Sequence, residues 1–163
     1  MSKATTVRDI MTTEVVTADP ETSVNLIARL MAERGISGVP IVEASGKIVG
    51  IVDELDLIER NTRFEPPAFF QILDGRIPLE TPGHFQKRMR HMLGATARDV
   101  MTEDVVSVGP DQPLEDVAEI LVRRRVNPLP VVEGDGLVGI VSRADVIEMM
   151  ARRLDDEDGT ADS

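Results

Sequence analysis

The sequence predicts an α/β (α+β) fold: two tandem β-α-β-β-α units that pack on each other. Three observations lead there. The first is an internal repeat. Pairing each residue from Arg8 to Glu43 with the one ninety positions later gives identities at Arg8, Asp9, Met11, Thr12, Val15, Val16, Pro20, Ala28, Arg34, Pro40, Val42 and Glu43. After a one-residue deletion in the second copy, Val49-Gly50-Ile51-Val52, Asp56, Ile58 and Glu59 match Val138-Gly139-Ile140-Val141, Asp145, Ile147 and Glu148. Shared apolar pattern, turns and charged punctuation imply two copies of one supersecondary unit. The second observation is that each copy switches between short β-branched runs and helical spacing. The third is size. A chain of 163 residues without cysteine buries roughly 70% of its unfolded surface and needs no disulfide. Neither copy alone is long enough to cover both of its faces.

Each element follows from local chemistry. Glu14 to Thr17 is a short extended run, closed by Asp19-Pro20. Val24, Ile27, Ala28, Leu30 and Met31 recur at helical spacing, with Thr22 as the expected N-cap and Gly35 as a left-handed stop. The second copy repeats this with Leu114, Val117, Ala118 and Leu121 behind Pro113, placed at the first helical position. Val39 to Val42 and Ile48 to Val52 flank a turn carrying Gly46, which reads as a hairpin. Asp53 or Ser142 then caps a closing helix, Leu55 to Glu59 or Ala144 to Arg152. Met31, Met101, Met149 and Met150 read as core filler.

These residues resemble a CBS domain, the module named after cystathionine β-synthase, present twice as a Bateman pair. The resemblance is carried by Asp9-Ile10-Met11-Thr12, Val15-Val16, Val39-Pro40-Ile41-Val42-Glu43, Val49-Gly50-Ile51-Val52 and Asp56, and by their counterparts from Asp99 to Asp145. It implies repeats at 7–60 and 97–152, related by a pseudo-two-fold axis, with two clefts between them that take adenosine ligands. By similarity, the first cleft sets Asp145, with Ser142 and Arg143, against Thr12, Val15, Val16, Ile36 and Ser37. The second, weaker cleft joins Asp53 and Asp56 to Thr102, Val105, Val106, Val126 and Asn127.

The chemistry of those residues is consistent with such roles. A carboxylate accepts two hydrogen bonds, which suits the paired hydroxyls of a ribose, and β-branched side chains pack a purine face. A helix N-terminus beside the carboxylate offers N–H groups to phosphate. Ser142-Arg143-Ala144-Asp145 also reads as a capping box in which Asp145 reaches back to the Ser142 backbone, and Asp53 to Asp56 reads the same way. Capping and ligand binding are compatible. The clefts differ in charge. Asp145 follows a serine and an arginine, whereas Asp56 follows Asp53 and Glu54, three carboxylates that repel a phosphate. AMP, ADP or ATP is therefore expected at Asp145, and a neutral or cationic adenosine compound, or nothing, at Asp56. The family's stronger phosphate binders carry a histidine or arginine just before the strand proline. Asn127-Pro128 and Ser37-Gly38 stand here instead.

Residues 61–96 lie outside both repeats. Between Arg60 and Arg98, seven basic residues meet three acidic ones, a local +4 within a total of −11. A helix about 82–93 is expected, with Phe85, Met89, Met92 and Leu93 on one face against the core or a dimer mate; the alternative is that its basic surface, Lys87, Arg88 and Arg90, contacts ligand phosphates or a regulated partner. His84 and His91 read as surface or interface residues. Residues 153–163 are acidic and are expected to be a disordered tail.

Several function classes are excluded by composition. Without cysteine there is no thiolate nucleophile or Cys-ligated metal, and two histidines make a catalytic zinc site improbable. No nucleophile stands with a paired base, and no P-loop occurs. The acidic balance argues against nucleic acid. The N-terminal residues do not read as a signal peptide, and no run approaches the length expected of a membrane span. The expected protein is a cytoplasmic, non-enzymatic regulatory and energy-sensing module. It needs no cofactor or metal, binds AMP foremost (alternatively ATP, ADP or S-adenosylmethionine), forms a homodimer and acts on a regulated protein. The alternative is a dimerisation or docking protein with degenerate clefts.

Overall fold

The computed structural model describes residues 5–62, 69–72, 75–78 and 95–159, with side chains over 5–59 and 95–153. After a 3-10 turn at Val7–Asp9, the first repeat runs α1 (Val24–Arg34), β1 (Gly38–Val42), β2 (Ile48–Asp53) and α2 (Glu54–Thr62). A hairpin follows, β3 (Phe69–Ile72) and β4 (Gly75–Pro78). The second repeat comprises α3 (Ala97–Val100), α4 (Leu114–Arg123), β5 (Leu129–Glu133), β6 (Gly136–Val141) and α5 (Arg143–Gly159). The fold is mixed α and β, as two tandem repeats.

Helix α1 buries Val24, Ile27 and Met31. Ser23, not Thr22, is its N-cap, accepting from the Leu26 N–H at 3.3 Å. The Thr22 hydroxyl is instead engaged by the Asp19 N–H in the turn before it. Gly35 ends the helix at φ 61°, ψ 36°, its N–H bonded to the Met31 carbonyl. In the second repeat α4 buries Leu114, Val117 and Leu121, with Pro113 one residue earlier than expected, at the cap. There the left-handed position is held by Arg125, at φ 54°.

The two hairpins are antiparallel and in equivalent register, Ile41 facing Gly50 and Val131 facing Gly139, each with a bulge at the next residue. The expected leading strand at Glu14 to Thr17 is reduced to single parallel bridges, Ala18 to Ile41 and Val108 to Val131. Proline two residues beyond Ala18, at Pro20, stops the run before a ladder develops.

The repeats are joined by an exchange that the pairing of sequence copies conceals. Thr12 forms an antiparallel bridge with Ile140, on the second repeat's hairpin, and Thr102 with Ile51 on the first, by N–H···O bonds of 2.9–3.0 Å. Val7 is therefore buried among Val117, Leu121, Leu129 and Val141 of the second core, and Ala97 among Ile27, Val39, Ile41 and Val52 of the first. Arg8 pins one exchanged segment to Asp111 and Glu133, and its counterpart Arg98 pins the other to Glu21. Met11 lies over Gly139, and Met101 over Gly50. At the junction of the repeats Gly38 sits against Pro128 so closely that a Cβ would come 2.5 Å from the proline Cδ.

Two further expectations are corrected. Residues 153–159, read as part of a disordered tail, continue α5 as helix. Arg152, Arg153 and Leu154 are strong helix formers, and extending a formed helix adds a hydrogen bond for each residue fixed. Met150, read as core, is 58% exposed beside Ile147 at 66%. The helix expected at 82–93, with its phenylalanine, methionines and histidines, lies outside the described residues, as do residues 160–163.

Candidate functional site

A cleft of about 740 Å³ opens between the repeats. Its walls come from four places. The exchanged N-terminal segment supplies Thr12, Glu14, Val15 and Val16, and the end of α1 with the start of β1 supplies Met31, Ala32 and Gly35 to Gly38. Glu54 enters from the start of α2. The second repeat closes the cleft with Asn127, Pro128, Ile140, Ser142 to Asp145 and Ile147. A cavity of this size and mixed lining suits a nucleoside-sized molecule.

Its polar end is the N-terminus of α5. The Ser142 N–H and hydroxyl both donate to Asp145 Oδ2, at 2.6 and 2.8 Å, so the capping box is formed. Because both bonds fall on one oxygen, Asp145 Oδ1 has no partner among the described residues, and neither does the Thr12 hydroxyl. The Arg143 N–H donates to Asn127 Oδ1 at 2.9 Å, while its guanidinium reaches the Leu121 carbonyl at 3.5 Å and makes no ion pair among the described residues.

The pseudo-equivalent atoms at Asp56 are arranged differently. Asp53 Oδ1 accepts from the Asp56 N–H at 3.0 Å, and Asp56 Oδ2 from the Asp53 N–H at 2.9 Å. The remaining oxygen of Asp56 accepts from the Thr102 hydroxyl at 3.4 Å, across the repeats. Both carboxylate oxygens are thus engaged. Partial burial and the neighbouring Asp53 charge raise the Asp56 pKa above 3.8, with the Asp53 N–H and Thr102 hydroxyl opposing the rise. Val106 and Val126 pack against the second repeat's core, and Val105 is half-buried.

Two residues stand elsewhere than the sequence reading put them. Asn127, grouped with the Asp56 cleft, lines the Asp145 cleft and holds the start of α5. It precedes Pro128, which abuts Gly38 at the junction, so this stretch is shared between the two sides. Glu54, counted with the acids around Asp56, also lines the Asp145 cleft. Glu14 is a charged lining residue that the sequence reading did not assign to either cleft. The only available signal for Glu14 was its place between Thr12 and Val15. Among the described residues no group of acids and histidines is placed to hold a metal ion, and no helix is long and apolar enough to cross a membrane.

The comparisons with known proteins agree with this architecture. The CBS domain family model matches residues 7–62 and 97–152. The uncharacterized protein MJ1426 of Methanocaldococcus jannaschii is 31% identical over 154 residues, covering 88% of this chain and 90% of that protein. The crystal structure of CBSX2 in complex with AMP, a protein of Arabidopsis thaliana, superposes with a TM-score of 0.68 at 27% identity, covering 90% of this chain and 96% of that one. A putative acetoin utilization protein, AcuB of Vibrio cholerae, gives a TM-score of 0.71 at 26% identity over 96% and 98% of the two chains. With both repeats matched, and joined by the exchange that forms the cleft, this chain belongs to the CBS domain family as a tandem pair.

Proposed function

We propose that this CBS pair is a non-enzymatic, cytoplasmic regulatory module that binds an adenine nucleotide, AMP foremost, in the cleft around Asp145. The observation that carries the reading is a pair of oxygens without partners among the described residues, Asp145 Oδ1 and the Thr12 hydroxyl, beside a helix N-terminus in a cleft of about 740 Å³. The carboxylate accepts from a ribose hydroxyl without giving up its cap. Val15, Val16 and Ile36 pack the base, and Arg143 meets the phosphate as a charge-assisted donor. The AMP complex of CBSX2 supports the ligand class.

The response is a population shift, in which ligand favours one mutual orientation of repeats or subunits. Leu55 and Ile58 on α2, with Ile147 and Met150 on α5, are each more than half exposed, an apolar surface suited to a homodimer mate. Ile147 also lines the cleft, so ligand and dimer surface share a side chain. The dimer then signals to a regulated protein.

A thermal-shift panel of AMP, ATP, NAD and S-adenosylmethionine tests the reading. AMP at a hundredfold excess over its Kd raises stability by about 2.7 kcal/mol, a clear rise in Tm. No shift with any of the four at millimolar concentration would contradict it and favour a docking role with degenerate clefts.

A further inference from the structure

We infer that the Asp145 cleft selects its ligand by charge: Glu14 and Glu54 restrict it to adenosine compounds carrying one phosphate or none, and turn triphosphates away. This rests on the adenosine reading above and specifies the ligand class of the same site.

The cleft brings three carboxylates, Glu14, Glu54 and Asp145, to the same walls as a single cation, Arg143. Asp145 is tied to Ser142, but Glu14 and Glu54 are exposed and form no ion pair among the described residues. Glu54 stands where Arg143 stands in the other repeat, so the pseudo-symmetric position adds a negative residue to the lining in which Arg143 is the one cation among the described residues.

The helix N-terminus adds little further capacity. The Arg143 N–H is taken by Asn127, and the Asp145 N–H by the Ser142 hydroxyl at 3.4 Å. The Ala144 N–H is the first-turn donor left without a protein partner among the described residues. One guanidinium and one N–H suffice for one phosphate, which brings about two negative charges at neutral pH. Further phosphates bring more charge and find Ser37, Gly38, Asn127 and Pro128, none of them cationic. A cavity of about 740 Å³ does not exclude a triphosphate by size. Charge makes the selection.

Titration calorimetry of the full chain with adenosine, AMP, ADP and ATP tests this. Affinity is expected to fall at least about tenfold from AMP to ATP, a like-charge penalty that salt narrows. The Glu14→Gln, Glu54→Gln double variant should bring ATP to within about threefold of AMP while leaving adenosine unchanged, because only the charge repulsion is removed. Glu54→Asp, which keeps the charge, should keep the ranking. Arg143→Gln should weaken AMP more than adenosine. If the double variant does not fold, the salt dependence of the AMP-to-ATP ratio in the unaltered protein decides. Equal affinity for AMP and ATP, a ratio unmoved by the double variant, or a ratio unmoved by salt overturns the inference while adenosine binding stands. Failure of every compound, adenosine included, overturns the adenosine reading itself and this inference with it.

Discussion

At the residue scale, one threonine-carboxylate pair occurs twice and behaves differently each time. Thr102 donates to Asp56, whereas Thr12 and Asp145 Oδ1 stay unpartnered among the described residues. The difference has a measurable consequence for stability. The folded Asp56 pKa lies above 3.8, so the folded chain keeps that proton to higher pH than the unfolded chain does. Ionising Asp56 therefore destabilises the fold as pH rises from 3.8 through the folded value, and the cost is complete above it. Asp56→Asn removes that cost and still presents an oxygen to the Asp53 N–H. Its stability relative to the unaltered protein should be more favourable at neutral pH than near pH 4, by urea denaturation at each. An unchanged difference would mean the Asp56 charge is not destabilising. The capping box at Ser142 to Asp145 was legible in the sequence. The formed cap leaves Asp145 Oδ1 without a partner among the described residues, so capping does not use up the carboxylate.

At the scale of elements, the helices and hairpins were legible because their signals are local. Apolar spacing marked α1 and α4, and glycine marked the end of α1 at Gly35. Boundaries were less so: Ser23 caps in place of Thr22, because Thr22 already serves the Asp19 turn. The β3–β4 hairpin was not anticipated, although Asp74-Gly75 carries a turn signal between apolar pairs. The contact of Gly38 with Pro128 was invisible in the sequence because it joins elements ninety residues apart. That contact predicts a specific sensitivity. Gly38→Ala places a Cβ 2.5 Å from a proline ring atom and 3.2 Å from the Val52 carbonyl. Neither neighbour yields as a flexible chain end does, so the substitution should cost about 1–3 kcal/mol, read as a lower urea midpoint at constant m-value. A midpoint equal to that of the unaltered protein would contradict the close approach.

At the scale of the whole molecule, the repeat predicted two units and the need for them to pack, but not that they trade segments. Val7 completes the second core and Ala97 the first, so each repeat is covered by residues belonging to the other. The same exchange lays Thr12 to Val16 across the cleft from Asp145 and brings Thr102 to Asp56. Site and fold are one construction. The total charge of −11 in the sequence is a sum over the whole chain and does not describe the cleft, whose lining carries Glu14, Glu54, Asp145 and Arg143. Nucleotide is expected at Asp145 and not at Asp56. Calorimetric titration of AMP into the unaltered protein, Asp145→Ala and Asp56→Ala tests it most directly. The account predicts a loss of at least about tenfold for Asp145→Ala, the scale of one charge-assisted hydrogen bond, and less than about twofold for Asp56→Ala. Equal losses from both changes, or a larger loss from Asp56→Ala, would contradict it.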